Sequence, residues 1–205
     1  MDARAVFWDV DTQHDFMDED GKLAVPGAQD IVENLARLTD FAVNNGIPVI
    51  ASADAHPPDD PEFEEFGQHC VAGTPGQQKI PQTQAPRCET ADRQRLGEQL
   101  AGLREGDLHQ LVIEKEDLDV FTVSLADTVV DALDAGRIFV YGVATEYCVQ
   151  KTVLGLLARN QRVALVQDAI RGIDASAATE ALDRMRQAGA HLTETDSILS
   201  ELENA

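Results

Sequence analysis

Positive charge is scarce in this sequence: 16 lysines and arginines, only four of them lysines, stand against 37 aspartates and glutamates, giving a formal charge of -21. Such a field repels nucleic-acid phosphates and anionic membrane surfaces, so neither nucleic acid nor membrane is expected as a partner. The surplus leaves two readings of the surface open, adaptation to a saline environment or a merely well-solvated acidic exterior. Cysteine is also scarce. Cys70, Cys88 and Cys148 are odd in number and lack CxxC spacing, which excludes a disulfide framework and a zinc ribbon and points to reduced thiols. Long apolar runs are missing, none approaching the ~20 residues of a membrane span. Met1 leads directly into Ala5-Val6-Phe7-Trp8 without the basic and apolar stretches of a secretory leader. Together these absences give the expectation of a cytoplasmic protein.

What is present is enough for a sizeable core. With 43% hydrophobic residues over 205 positions, one domain spanning 1–205 is expected. Short β-type runs alternate with amphipathic stretches along the whole chain, the pattern of an α/β protein: three αβα layers around a mostly parallel, doubly wound sheet of about six strands. The strands are read at Ala5 to Val10, Pro48 to Ala53, Gln110 to Glu114, Ile138 to Tyr141, Val163 to Val166, and near His191 to Thr193. Ile31, Leu35, Leu38 and Ala42 make the inner face of a first helix, and Leu96, Leu100 and Leu103 that of a second. Later helices bury Val129, Leu133, Val153, Leu156, Leu157, Leu182 and Met185 in the same way. Pro57 to Pro86 is rich in Pro, Gly, Gln and acidic residues and reads as a long functional loop, with Cys70 and Cys88 in or beside it and without a catalytic role.

In an open parallel sheet, ligands bind beyond the carboxyl ends of the strands. Asp11 follows the first strand, Asp54 and His56 the second, Lys115 the third, and Cys148 comes after the fourth, where Gly142-Val143-Ala144-Thr145 turns toward a helix. Reactive side chains from four strand ends on one rim point to a hydrolytic site. Cys148 is expected in the first turn of that helix, where free N–H groups and the helix dipole favour a thiolate. Taken singly, each residue also has a blander reading. A cysteine in apolar company is often a core residue, the acidic cluster around Asp11 suits a helix cap or solvated turn, and Glu114-Lys115-Glu116-Asp117 suits a charged turn. Asp54, His56 and His69 offer one carboxylate and two imidazoles, donors suited to Zn, Fe or Mn.

In chain order these residues resemble the nicotinamidase and pyrazinamidase branch of the isochorismatase-like cysteine hydrolases. Asp11-Thr12-Gln13-His14-Asp15-Phe16 is similar to the family's DxQxDF opening and Asp54-Ala55-His56 to its metal-binding DxH. His69-Cys70-Val71-Ala72-Gly73-Thr74-Pro75-Gly76 resembles its HCxxGTxG segment, Glu114-Lys115 its lysine strand, and Gly142 to Val149 its nucleophile loop. The resemblance implies a catalytic triad of Asp11, Lys115 and Cys148, delivered by strand ends separate from a metal set of Asp54, His56 and His69. It implies a cis peptide between Val143 and Ala144, with the N–H groups of Ala144 and Cys148 facing an oxyanion, and an apolar pocket formed by Phe16, Leu23 and Phe66. The implied reaction is deamination of nicotinamide or a similar pyridine carboxamide through a thioester, with one divalent transition metal, zinc before iron or manganese. Two departures stand out. No further histidine stands in Asp59 to Glu65, shortly after the DxH, which makes Glu62 the candidate fourth metal ligand, and Tyr147 precedes the nucleophile where some relatives have histidine, which places it in the substrate pocket. Two alternatives stay open: another hydrolase of the superfamily acting on a different small amide or N-carbamoyl compound, and a non-enzymatic metal-binding or scaffold protein on the same fold. Nothing in the sequence fixes the oligomeric state, and a homo-oligomer is compatible with it.

Overall fold

The computed structural model describes residues 5–204; the reading of Met1 as running straight into the first strand falls outside them. Strand formation follows from two-sided burial. In β1 (Ala5–Val10), Val6, Trp8 and Val10 enter one apolar layer while Phe7 enters the other, the alternation that a pleated strand imposes. The same split recurs later in the chain: Ile138 and Val140 lie opposite Phe139 and Tyr141, and Val163 and Leu165 opposite Ala164 and Val166. Strands buried on both faces read as continuous apolar runs, as parallel sheets covered by helices do.

After β1 come α1 (His14–Met17), α2 (Val32–Asn45), β2 (Val49–Asp54), α3 (Phe63–Phe66), β3 (Cys88–Thr90), α4 (Leu96–Glu105) and β4 (Gln110–Lys115). The second half runs α5 (Ser124–Leu133), β5 (Arg137–Val143), α6 (Gln150–Ala158), β6 (Val163–Arg171), α7 (Ala175–Gln187), β7 (His191–Thr193) and α8 (Thr195–Glu203). All seven strands are parallel, in the order β3-β4-β2-β1-β5-β6-β7. Helices α4 to α7 cover one face through Leu100, Val129, Val153 and Met185, and α2 and α8 cover the other through Leu35, Leu38 and Ile198. Among the described residues no helix is long and apolar enough to cross a membrane.

The sheet has seven strands where the sequence reading gives about six. The additional one, β3, is a three-residue edge strand with no residue fully buried, so it carries no apolar run to betray it. It also takes Cys88 out of the loop and onto the sheet edge, opposite Gln110. β6 continues to Arg171 beyond the expected end at Val166, because Ala169 and Ile170 return to the core after the polar pair Gln167-Asp168. Asp168 is accommodated there by bonds from Thr195 N and Oγ1, both 2.9 Å, and from Asn34 Nδ2 at 3.1 Å.

The chain winds outward from β1 in both directions, so β1 and β5 meet at the switch point where such sheets bind ligands. Close approach there depends on Gly142, with φ +120°, because a Cβ atom would lie 2.0 Å from the Val10 carbonyl oxygen. The long segment 57–86 is fastened over this rim by bridges between Gln13 and Lys79 and between His56 and Val71. A buried ion pair from Lys79 Nζ to Asp9 Oδ2 at 2.6 Å adds a further tie.

Candidate active site

β1 ends at Val10, and the next residue, Asp11, turns into the left-handed region at φ +51°. Its side chain is wholly buried, and Oδ1 accepts from Ser52 Oγ of β2 at 2.7 Å. Oδ2 lies 3.0 Å from Lys115 Nζ but accepts no aligned hydrogen bond. That oxygen is free to take a proton. Lys115, the last residue of β4, is 2% exposed and so among the largest fully buried side chains. Burial opposes its charge, but Asp11 and Asp54 outweigh burial and raise its pKa well above the ordinary lysine value. The ammonium is therefore permanent, and its Nζ lies 3.6 Å from Cys148 Sγ.

Cys148 lies just after a break at Tyr147 (φ -113°, ψ -106°) in a wide turn, Thr145–Val149, and begins the helical run that continues into α6 from Gln150. The surroundings of the thiol favour its neutral form. Burial first, then the nearby charges of Asp11 and Asp54, push its pKa well up against the pull of Lys115. Burial likewise raises the Asp11 carboxyl, with Lys115 opposing. A neutral thiol beside a carboxylate of enhanced basicity is a proton donor and acceptor pair poised for transfer. The peptide bond between Val143 and Ala144 is cis.

The second cluster adjoins the first. Asp54 ends β2, and its backbone is clamped by the Gln13 side chain, which accepts from Asp54 N at 2.7 Å and donates to Asp54 O at 2.8 Å. Asp54 Oδ1 pairs with Lys115, while Oδ2 faces His56 Nε2 at 3.6 Å and His69 Nε2 at 3.9 Å. The two sets are therefore not independent, because Asp54 belongs to both. One donor atom from each of Asp54, His56 and His69 lies within 4.8 Å of the other two. His56 Nδ1 is 3.0 Å from Asp60 Oδ2, which leaves its Nε2 buried and without a partner. His69 Nδ1 donates to the Gly67 carbonyl at 2.8 Å, so its Nε2 also points inward as an acceptor. A carboxylate with two inward imidazole nitrogens, each braced at its other nitrogen, fits a divalent transition metal. Burial pulls the His56 pKa down, but the nearby carboxylates of Asp54 and Asp60 prevail and raise it to about 9. An imidazolium between two carboxylates thus occupies a place suited to a cation. Glu62 Oε1 reaches 4.0 Å from His69 Nε2, at the margin of this set.

Both clusters contribute to the lining of one pocket. Phe16, Leu23, Phe66 and Tyr147 all line it, together with Cys148, Ala144, Asp54, Glu62 and His69. Phe66 and Tyr147 meet edge to face, with ring centroids 5.5 Å apart. Val25, Leu118 and Ile173 complete the apolar wall, and sequence reasoning did not single them out. It also missed Ser52, Gln13 as the clamp on Asp54, and Asp60. Only Asp60 offers a local signal, as a carboxylate four residues after His56.

An isochorismatase domain family model matches residues 7–197. The nicotinamidase of Escherichia coli (strain K12) is 34% identical over 188 residues, covering 80% of this chain and 82% of that protein. Among solved structures, the pyrazinamidase of Pyrococcus horikoshii in complex with zinc superposes with a TM-score of 0.76 at 27% identity, covering 93% of this chain and 99% of that one. The N-carbamoylsarcosine amidase of Thermoplasma acidophilum shares the fold, with a TM-score of 0.73 at 24% identity over 94% and 97% of the two chains.

Proposed function

This chain belongs to the isochorismatase domain family, and from that premise we propose that residues 1–205 act as one cysteine amidohydrolase, deaminating nicotinamide or a similar pyridine carboxamide through a thioester. The observation that carries this reading is the buried Asp11 carboxylate beside Lys115 and the Cys148 thiol, adjoining a metal-type donor set on an apolar pocket. The 34% identity to a nicotinamidase supports the substrate class.

In this scheme a flat heteroaromatic ring lies against Phe16, Phe66 and Tyr147, which line the pocket, and closure around it excludes water from the reacting carbonyl. Asp11 Oδ2 accepts the thiol proton as Sγ bonds to the amide carbon. The N–H groups of Ala144 and Cys148 hold the oxyanion in this scheme. Lys115 keeps its charge throughout and offsets the anion as it passes from thiolate to tetrahedral adduct. When the carbon–nitrogen bond breaks, Asp11 returns its proton to the leaving amine, and ammonia departs. Asp11 then takes a proton from water as the water oxygen opens the thioester, and passes it to Sγ to release the acid. Asp54, His56 and His69, with Glu62 as the candidate fourth ligand, would hold a divalent transition metal, zinc first by donor type, which when bound supplies an electrophilic anchor for the ring nitrogen. The zinc in the similar Pyrococcus horikoshii pyrazinamidase supports that choice.

The test is ammonia release from a panel of nicotinamide, pyrazinamide, benzamide and N-carbamoyl amino acids, with mass spectrometry of the quenched enzyme for an acyl group on Cys148. Turnover of the pyridine and pyrazine amides with an acylated Cys148 peptide is expected. Turnover confined to N-carbamoyl compounds, or none at all, would overturn the reading.

A further inference from the structure

Ile173 is the one large apolar side chain left exposed among the described residues, at 38%. It lines the active-site pocket and also the solvent groove beside it, so it stands at the boundary between the two. An isoleucine exposed at a turn gains little from burial, yet its position is fixed. The N–H groups of Ile173 and Asp174 both donate to Glu146 Oε1, at 2.8 and 2.7 Å. Asp174 caps α7 by accepting from Ala177 N at 2.8 Å. Gly172 packs too closely for any side chain, since a Cβ atom would lie 2.5 Å from Glu146 Oε2 and 2.7 Å from Ala178 Cβ. Glu146 is itself two residues before Cys148 in the same turn. One carboxylate therefore sets the distance between the nucleophile segment and the apolar residue at the pocket mouth.

We propose that Ile173 is a specificity-determining residue, a size filter that admits flat, narrow amides and turns away broader ones, and that Glu146 is the positioning residue that holds it against the nucleophile turn. The proposal rests on the pocket being the substrate site, but its test does not require amidase activity. A carboxylate accepting two backbone N–H groups fixes a turn more firmly than a neutral acceptor would. Trimming one hydrophobic wall residue relaxes discrimination between ligands that differ by a small group.

Full-length protein is alkylated with iodoacetamide and, separately, with a biphenyl maleimide, and modification of the Cys148 peptide is followed by mass spectrometry. In Ile173→Ala the ratio of bulky to small reagent rates should rise roughly tenfold, since discrimination at one apolar contact is of this order. Glu146→Ala should raise the ratio as well, whereas Glu146→Gln, which keeps an acceptor oxygen for both N–H groups, should stay within about twofold of wild type. An unchanged ratio in Ile173→Ala, or a parallel fall of both rates, overturns the size filter. A shift in Ile173→Ala without one in Glu146→Ala overturns the positioning role. A shifted ratio in a protein that releases no ammonia from any pyridine carboxamide would leave the filter standing and sink the amidase reading, and turnover with an unshifted ratio would do the reverse.

Discussion

Proton traffic between Cys148 and Asp11 is governed by groups that differ in how visible they are in the sequence. Asp11, Lys115 and Cys148 are legible because each closes or follows an apolar strand run. Ser52 is not, being a small polar residue inside β2 whose hydroxyl matters only because β1 and β2 pair in register up to Val10 and Ser52. Its bond to Oδ1 lowers the Asp11 pKa against the burial that raises it. Activity requires ionised Asp11, so turnover should fall as pH drops through a pKa above the ordinary carboxylate value of about 4. Ser52→Ala removes a stabiliser of the ionised form and should move the acid limb of kcat/KM to higher pH, a displacement read directly from the pH–rate profile. A limb that moves down or stays would remove Asp11 from the role of base. Cys148→Ala should cost roughly 10⁴-fold or more in turnover, as losing a nucleophile does, with circular dichroism unchanged. Cys70 is equally buried, but its Sγ faces the Gly76 carbonyl at 3.9 Å and it does not line the pocket as Cys148 does, so iodoacetamide should leave it unmodified under conditions that label Cys148.

Strands are the elements most legible in the sequence, because burial on both faces writes a run of apolar residues, and their carboxyl ends then locate the site without knowledge of any side-chain contact. The edge strand β3 and the second half of β6 escape that logic, as does the broken turn at Tyr147, whose geometry is set by packing between β5 and α6. The switch point is also where tolerance is lowest. A methyl group at position 142 would strike the Val10 carbonyl at 2.0 Å in a conformation that favours glycine, so Gly142→Ala should destabilise the fold by at least about 3 kcal/mol. Chemical denaturation measures this, and a loss under about 1 kcal/mol would mean that β1 and β5 approach less closely than described. The segment 57–86 carries His69 and Glu62, and Gln13, just after β1, ties it to β2 by donating to Gln77 O at 2.7 Å while its side chain clamps the Asp54 backbone. His56→Ala removes an imidazole outright and should abolish stoichiometric metal binding, whereas Gln13→Ala leaves all three donors and should only weaken it, by roughly 10- to 100-fold. Metal titration by calorimetry separates the two, and equal losses would contradict a positioning role for Gln13.

At the scale of the whole molecule, the acidic surplus is left uncompensated by design of the surface. Arg37, Arg137, Arg159, Arg171 and Arg186 are each already engaged with a carboxylate, so the remaining acids set the field. Exposed carboxylates also stand on two segments that wall the pocket, Glu64 and Glu65 beside Phe66, and Glu116 and Asp117 beside Leu118. A neutral amide approaches such a mouth without electrostatic work, while the acid formed from it is an anion at neutral pH and is repelled outward. The field thus favours product release, and salt should weaken it, because the screening length contracts to about 10 Å at 0.1 M and about 3 Å at 1 M. Raising sodium chloride from about 0.02 to about 0.5 M should therefore tighten inhibition by the acid product severalfold and leave the KM of the neutral amide nearly constant, since only the anion carries charge through the screened field. Initial-rate measurements with added nicotinate, with uncharged 3-acetylpyridine as control inhibitor, decide the matter. Equal salt dependence for both inhibitors, or weaker inhibition by nicotinate at high salt, would show that the charge of -21 does not act at the pocket.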